Sequence, residues 1–166
     1  MLKLNRISRI LLLGANLWYF GEGMFGPLLA VFAQRVGGDI LDITWAWAVY
    51  LIVCGLFTML FGRLADKVGS ELLLIAGYFL NALFTFGYLF VHSSAELFFV
   101  QAGLGLAAAM ATPTWDALYD RYSDSRHRGY LWGLSDGQAK LVTGIAVIIG
   151  GVIVNTASFT ALFVAI

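Results

Sequence analysis

Long apolar stretches separated by short polar ones make up almost the whole chain. Five of them cover residues 10–33, 44–62, 72–91, 96–119 and 130–154. Each is close to the roughly 20 residues that a helix needs to cross a hydrocarbon core. A backbone in lipid must satisfy its own hydrogen bonds, and no stretch has the alternating pattern of a barrel strand. The pattern therefore predicts an all-α fold, a polytopic transmembrane helical bundle.

The last apolar stretch, FTALFVAI from residue 159, is much shorter than the others. At 1.5 Å per residue it makes only about 12 Å of helix. We therefore expect five complete spans and a sixth that is cut short, as in a fragment of a longer protein or a half-size protein that pairs with a second chain. The first stretch is too long for a cleaved signal peptide and contains Glu22.

The composition excludes several classes of protein. Hydrophobic residues make up 60% and charged residues only 12%, whereas a soluble domain carries about 25% charge. The formal net charge is zero, which gives no reason to expect a nucleic-acid partner. Cys54 is the one cysteine, and His92 and His127 are far apart, so no metal site is expected. No catalytic or cofactor-binding motif is present, and we expect neither an enzyme nor a cofactor.

Basic residues fix the expected orientation, because they concentrate in cytoplasmic loops. On one side lie Lys3, Arg6, Arg9, Arg63, Lys67, Arg121, Arg126 and Arg128, and on the other only Arg35. This asymmetry predicts a cytoplasmic N-terminus, in a chain that we expect in a bacterial inner (plasma) membrane.

The polar segment GRLADKVGS at residues 62–70 resembles a known loop signature. Gly62, Asp66, Lys67 and Gly69 match the pattern G-x-x-x-D-R/K-x-G of the major facilitator superfamily, at that family's position between the second and third helices. The resemblance implies that Asp66 belongs to a conformational latch with the C-terminal half of a transporter. Gly62 and Gly69 are expected to permit a tight hairpin.

Two further segments carry the same resemblance. GLGLAA at 103–108 is similar to the small-residue run of the family's fourth helix, and Asp120 with RHRG at 126–129, which includes Arg128 and Gly129, is similar to the following loop. The resemblance implies the N-terminal six-helix half of a twelve-helix transporter. Its expected partners are the lipid bilayer, a small-molecule solute, protons, and a missing C-terminal half or second chain.

The first span has two unlike halves on a helical wheel. One half carries Ala15, Asn16, Trp18, Tyr19, Glu22, Gly23 and Gly26. The other, the expected lipid side, carries Leu13, Leu17, Phe20, Met24, Phe25 and Leu28. Glu22 is about 18 Å along the span, where an ionised carboxylate costs roughly 2.5 to 3.5 kcal/mol. It is either a proton- or substrate-binding carboxylate or a buried acid hydrogen-bonded to a neighbouring helix.

The fourth span carries a polar face of small residues with spacings of three and four. Its members are Gln101, Gly105, Ala108, Thr112, Asp116 and Tyr119. The resemblance implies that this span and the first line a central cavity. Asp116 is either a site residue or an interfacial acid, Trp115 is either a packing residue or a solute-stacking one, and Pro113 is expected to kink or end the helix.

Asp136 and Lys140 in the fifth span are four residues apart, so their side chains share a helix face. The same face carries Gly133, Thr143, Gly144 and Gly151. Either the two side chains form an intrahelical salt bridge, or one of them interacts with a solute or with Glu22 during transport. Asn81 in the third span is expected to form an interhelical hydrogen bond.

Two functions fit these features. The first is secondary active transport of a small solute by alternating access, with a titrating carboxylate that couples transport to protons. The second is a non-transporting, partial membrane protein that acts by assembly with other membrane chains. The polar residues of the first, fourth and fifth spans favour transport.

Overall fold

The computed structural model describes residues 5–166, which are almost entirely helical and contain no strand. Its α-helices are α1 (Arg6–Phe25), α2 (Leu29–Arg35), α3 (Ile40–Val68), α4 (Ser70–Gly87), α5 (Ser94–Tyr122), α6 (Arg128–Thr156) and α7 (Phe159–Ala165). The predicted helical-bundle fold class is confirmed. Lys3, which entered the orientation argument, lies outside the described residues.

Short polar segments set the starts of several helices. Asp39 accepts hydrogen bonds from the first turn of α3, and Asp42 bonds back to the Asp39 main chain, which makes a capping box. Ser93 caps α5 through the main-chain N–H of Glu96, and Ser158 caps α7 in the same way. These side chains satisfy N–H groups that a helix start leaves without partners.

Four helical segments are long and apolar enough to cross a membrane: α3, residues 70–90, α5 and α6. The first predicted span has a different form. It consists of α1, a 3-10 turn at Gly26–Leu28 and α2. Pro27 lies in that turn and cannot donate a main-chain hydrogen bond. The interruption separates α1, which carries Asn16 and Glu22, from the short helix α2.

The helices pack in two groups. In the first group α5 packs along both α3 and α4. Gly105 allows the main chain of α5 to approach Tyr50 on α3, and Gly77 on α4 lies against the main chain of Ala111 on α5. In the second group α1 packs along α6. Small residues at these crossings let the helix backbones approach closely, as is typical within membranes.

The crossing of α1 and α6 corrects the expected lipid side of α1. Met24 and Phe25 were expected to face lipid, but both are buried. The main chain of Met24 lies directly against Gly150, and Phe25 packs against Phe163 of α7, with ring centroids 5.1 Å apart. Leu13 of the same predicted set is exposed. The wheel placed Met24 and Phe25 wrongly because α6 and α7 cover that part of α1.

The two ends of the bundle have different cores. One end holds the start of α1, the α3–α4 junction and the α5–α6 connection; we call it the basic end. Its core contains aliphatic residues and one phenol: Leu11, Leu12, Leu74, Leu118, Leu131 and Tyr119. The opposite end is closed by a cluster of aromatic rings from α1, α2, α7 and the turn after α4: Phe25, Phe32, Phe159, Phe163 and Tyr88.

Candidate functional site

A cavity of about 420 Å³ lies between α1, α4, α5 and α6. We call it the aromatic cavity. The rings that line it are Trp18, Tyr19, Tyr78, Trp115 and Trp132, and its polar residues are Thr112, Ser135, Asp116 and Asp136. A volume of this size is within the range of small-molecule sites, about 300 to 1,000 Å³.

Hydrogen bonds and ring contacts hold one wall of the aromatic cavity in place. The Nε1 of Trp115 donates to the carbonyl oxygen of Leu11 at 3.0 Å, and the hydroxyl of Tyr119 donates to the carbonyl oxygen of Leu131 at 2.8 Å. Trp115 stacks on Tyr119 with centroids 4.7 Å apart, and Trp132 meets Tyr119 edge-on at 5.3 Å. These contacts join α1, α5 and α6. Of the two roles considered for Trp115, packing is therefore present.

The opposite wall consists of Trp18 on α1 and Tyr78 on α4, whose ring centroids are 5.2 Å apart. Gly14 makes room for this contact. A Cβ atom at position 14 would lie 3.3 Å from the ring of Tyr78, which is closer than ordinary van der Waals contact. The absent side chain thus lets the phenol approach α1.

The acids of the aromatic cavity differ in their charge partners. Asp136 forms an ion pair with Lys140 one turn further along α6. Both side chains remain largely exposed, at 72% and 71%. Asp116 on α5 is also exposed, and within residues 5–166 it takes part in no ion pair. The cavity wall therefore contains one paired and one unpaired carboxylate.

A second cavity, about 160 Å³, lies closer to the aromatic cluster; we call it the Glu22 cavity. Glu22, Asn81 and Gln101 supply its amide and acid groups, and Tyr50 and Tyr88 supply two phenols. Glu22 is exposed, whereas Gln101 is buried. Asn81, for which only an interhelical hydrogen bond was expected, thus lies at the same cavity as the acid of α1.

Some of the predicted cavity residues line the aromatic cavity, some line the Glu22 cavity, and two line neither. Tyr19, Thr112, Asp116 and Asp136 line the aromatic cavity, and Glu22 and Gln101 line the Glu22 cavity. Asn16 and Lys140 line neither: Asn16 donates to the side chain of Gln138 at 3.4 Å, and Lys140 pairs with Asp136.

The predicted polar face of α5 does not form one continuous cavity wall. Gly105, Ala108 and Tyr119 are buried, whereas Thr112 and Asp116 are exposed. Pro113 does not end the helix, which continues to Tyr122. The hydroxyl of the adjacent Thr114 bonds back to the carbonyl oxygens of the preceding turn at 2.7 and 2.9 Å.

Sequence reasoning missed Tyr78 and Trp132. Trp132 is four residues before Asp136, so the same spacing rule that grouped Asp136 with Lys140 could have added the indole to that helix face. Tyr78 has no comparable signal, because it reaches the cavity only through the packing of α4 against Gly14.

The signature segment at residues 62–70 is mostly helix, and the predicted tight turn is confined to Gly69. Gly62, Asp66 and Lys67 lie within the last two turns of α3, and α4 begins at Ser70. Gly69 is the one residue between them and has φ +95°, a conformation that favours glycine. Gly62 is therefore not a turn residue. The helix extends past the predicted end of the span because polar side chains can continue it beyond the apolar stretch.

Ion pairs join neighbouring helix ends and loops at the basic end. Arg128 pairs with Asp120 at 3.1 Å, and Arg121 at the end of α5 approaches Glu71 at the start of α4 to 3.9 Å. Asp66 is exposed and forms no ion pair within the described part of the chain. A Cβ at Gly129 would meet no neighbouring atom within 4 Å.

Asp124 organises the turn between α5 and α6. Its carboxylate accepts a hydrogen bond from the main-chain N–H of Arg126 at 2.9 Å and lies 3.3 Å from the His127 ring. These hydrogen bonds, the Arg126 N–H first, hold the pKa of Asp124 below its usual value. The charged carboxylate caps the turn that contains Arg126 and leads into α6, whose first residue is Arg128.

Comparison with known proteins agrees with this architecture. An uncharacterized MFS-type transporter of Methanocaldococcus jannaschii is 24% identical over 135 residues, which are 81% of this chain and 35% of that protein. The uncharacterized MFS-type transporter YvkA of Bacillus subtilis is 25% identical over 153 residues, which are 92% of this chain and 34% of that protein. The multidrug resistance protein MdtG of Salmonella typhimurium is 22% identical over 145 residues, 85% and 36% respectively.

The chain thus spans about a third of the length of these relatives. A family model described as Major Facilitator Superfamily matches residues 11–166, which include both cavities and the signature segment. Together with the four long apolar helices, the match identifies an integral, multi-pass membrane protein. The chain belongs to the Major Facilitator Superfamily.

Proposed function

We propose that this chain forms one half of a secondary active transporter, which moves a small solute by alternating access and couples that movement to protons. The observation that carries the proposal is the position of Glu22. It lies in the last turn of α1, within the first predicted span, and lines a cavity shared with α3, α4 and α5. An acid inside a membrane span is costly, and access to a cavity gives it a route for protons.

The neighbours of Glu22 suit a group that changes its protonation state. Asn81 and Gln101 line the same cavity, and each amide carries both a donor and an acceptor. An amide can donate to the ionised carboxylate and accept from the protonated acid. The cavity can therefore stabilise either form of Glu22 as the transporter changes conformation.

The second half of the transporter is part of the proposal. A solute cavity between two six-helix units is the arrangement of this class of transporter. The aromatic cavity and the Glu22 cavity would each face the second unit, which is supplied by further residues of the same protein or by another chain.

We further infer that the basic end is cytoplasmic, in a bacterial inner membrane. Its described basic residues are Arg6, Arg9, Arg63, Lys67, Arg121, Arg126 and Arg128, against Arg35 at the other end. In a Cys54→Ala background, Gln34→Cys should react with an impermeant maleimide in intact cells, and Arg126→Cys only in opened cells. The reverse pattern would contradict this orientation.

Transport is tested with the full-length protein in proteoliposomes under an imposed pH gradient. Two aromatic probes are used, neutral chloramphenicol and the cation tetraphenylphosphonium. The native protein should move at least one probe together with protons. Glu22→Gln should abolish the proton-coupled flux, Glu22→Asp should keep part of it, and Glu71→Gln, an acid outside both cavities, should leave it unchanged.

Two results would overturn the proposal. Full proton-coupled flux in Glu22→Gln would remove this carboxylate from the coupling mechanism. Native protein that moves neither probe would contradict transport itself and would favour a chain that acts by assembly with other membrane chains.

A further inference from the structure

The aromatic cavity combines ring faces with negative charge. Two walls of rings, Trp18 with Tyr78 and Trp115 with Trp132, enclose a space that also exposes Asp116. The face of an aromatic ring is electron-rich, and a cation within about 6 Å of the ring centroid is attracted to it, most strongly by indoles. Three of these four rings are indoles.

The charge balance of the cavity favours a single positive charge. Lys140 already neutralises Asp136. Asp116 is left without an ion pair among residues 5–166. An anion would be repelled by this carboxylate, and a neutral ligand would displace water from it without supplying a partner, which is unfavourable. A monovalent cation would both pair with Asp116 and contact the rings.

The cavity is unsuited to a small inorganic cation. Such ions are held by several oxygen or nitrogen ligands, and the described residues contain no group of three or more His, Cys, Asp or Glu side chains that could hold a metal. Indole and phenol rings serve instead for cations whose charge is surrounded by carbon, such as quaternary ammonium groups. The volume of about 420 Å³ leaves room for such a ligand.

The position of the Trp115 ring is also fixed before a ligand binds. Trp115 is fixed by its hydrogen bond to Leu11, and Tyr119, on which it stacks, is fixed by its bond to Leu131. A ligand that enters this cavity need not order that wall, so less binding free energy is lost to ordering side chains.

We propose that the aromatic cavity binds a monovalent organic cation, with Asp116 as the counter-charge and the indoles of Trp18, Trp115 and Trp132 as its ring surfaces. This inference names the solute class of the transporter proposed above and rests on that function for its biological meaning. Binding itself can be measured without transport, so the two can fail separately.

The test is equilibrium dialysis of radiolabelled tetraphenylphosphonium against the full-length protein in lipid nanodiscs. Asp116→Asn should weaken binding at least about tenfold, or about 1.4 kcal/mol, whereas Asp116→Glu, which keeps the charge, should retain most of it. Trp132→Leu should also weaken binding. Its matched control is Trp45→Leu, which alters an indole that is 59% exposed and lines neither cavity, and binding there should be unchanged.

A competition experiment on the native protein guards against misfolded variants. Phenyltrimethylammonium and tert-butylbenzene have nearly the same shape and differ in charge. Only the cation should displace tetraphenylphosphonium. Equal displacement by both, or native affinity in correctly folded Asp116→Asn, would overturn the proposal.

The outcomes separate this inference from the proposed function. Binding that depends on Asp116, in a protein that moves neither probe, supports the cation site and contradicts transport. Proton-coupled flux of chloramphenicol in a protein that does not bind tetraphenylphosphonium supports transport and overturns the cation site.

Discussion

The indole of Trp115 on α5 donates a hydrogen bond to the main-chain carbonyl oxygen of Leu11 on α1, over 3.0 Å. A second bond of the same kind joins the buried hydroxyl of Ser8 to the carbonyl oxygen of Tyr122, over 2.9 Å. The main packing partner of α1 is α6. These two hydrogen bonds link α1 directly to α5 as well. They do so beside the aromatic cavity, and Trp115 belongs to the wall of that cavity.

Trp115→Phe should destabilise the fold by about 1 kcal/mol, the usual net worth of one hydrogen bond. The substitution removes the Nε1 donor and keeps an aromatic ring. Thermal unfolding in detergent measures the change, and Trp45→Phe makes the same chemical change at an exposed indole. Equal melting temperatures for the two variants would show that the bond to Leu11 contributes nothing.

Gly150→Ala should destabilise the contact between α1 and α6 by about 1 to 3 kcal/mol, as overpacking does. A Cβ at position 150 would overlap the main chain of Met24. Gly151→Ala is the matched control, because nothing lies within 4 Å of a Cβ there. It should be neutral or stabilise by about 0.5 to 1 kcal/mol through helix propensity. Unfolding curves that rank the two variants in the opposite order would contradict this packing.

Removing one partner of the pair between Asp136 and Lys140 should reduce the yield of folded protein. Lys140 is about 18 Å along its helix, and a lone charge at such depth costs roughly 2.5 to 3.5 kcal/mol. Asp136→Asn and Lys140→Met should each lower the monodisperse peak in size-exclusion chromatography. The double variant carries no lone charge and should recover it. A double variant as poor as either single one would mean that pairing is not what matters.

Asp66→Asn should slow transport while leaving tetraphenylphosphonium binding intact. The resemblance of the signature segment implies a latch for Asp66, and a switch of this kind is worth roughly five-fold or more. Initial flux in proteoliposomes measures the effect, with Glu71→Gln as the control at the same end of the bundle. Unchanged flux in Asp66→Asn would reduce the segment to a signal for membrane topology.

The helical fold of the chain could be predicted because a backbone in lipid must satisfy its own hydrogen bonds, which a helix does. The pairing of Asp136 with Lys140 also follows from spacing along one helix. Both are local properties. Which helix covers which face is not local, and this is where the predictions for Met24 and Phe25 were wrong: their burial depends on α6 and α7, which the wheel of one helix does not contain.

The residues of the aromatic cavity also divide into those that local spacing can predict and those that depend on helix packing. Trp132 lies in register with Asp136 and could have been found by counting, whereas Tyr78 reaches the aromatic cavity only because Gly14 lets α4 approach α1. The prediction that Gly62 is a turn residue was wrong for a third reason. Polar composition was taken to end the helix, but Asp66 and Lys67 continue α3 in helical conformation.

The junction at Gly69 limits how the bundle can move. One residue connects α3 to α4 and spans at most about 3.6 Å, so the joined helix ends cannot separate. Since α5 packs along both helices, α3, α4 and α5 form one block, and α1 with α6 forms a second. The aromatic cavity lies between the two blocks. Its width is therefore set by the position of one block relative to the other, and a solute held there would contact both blocks.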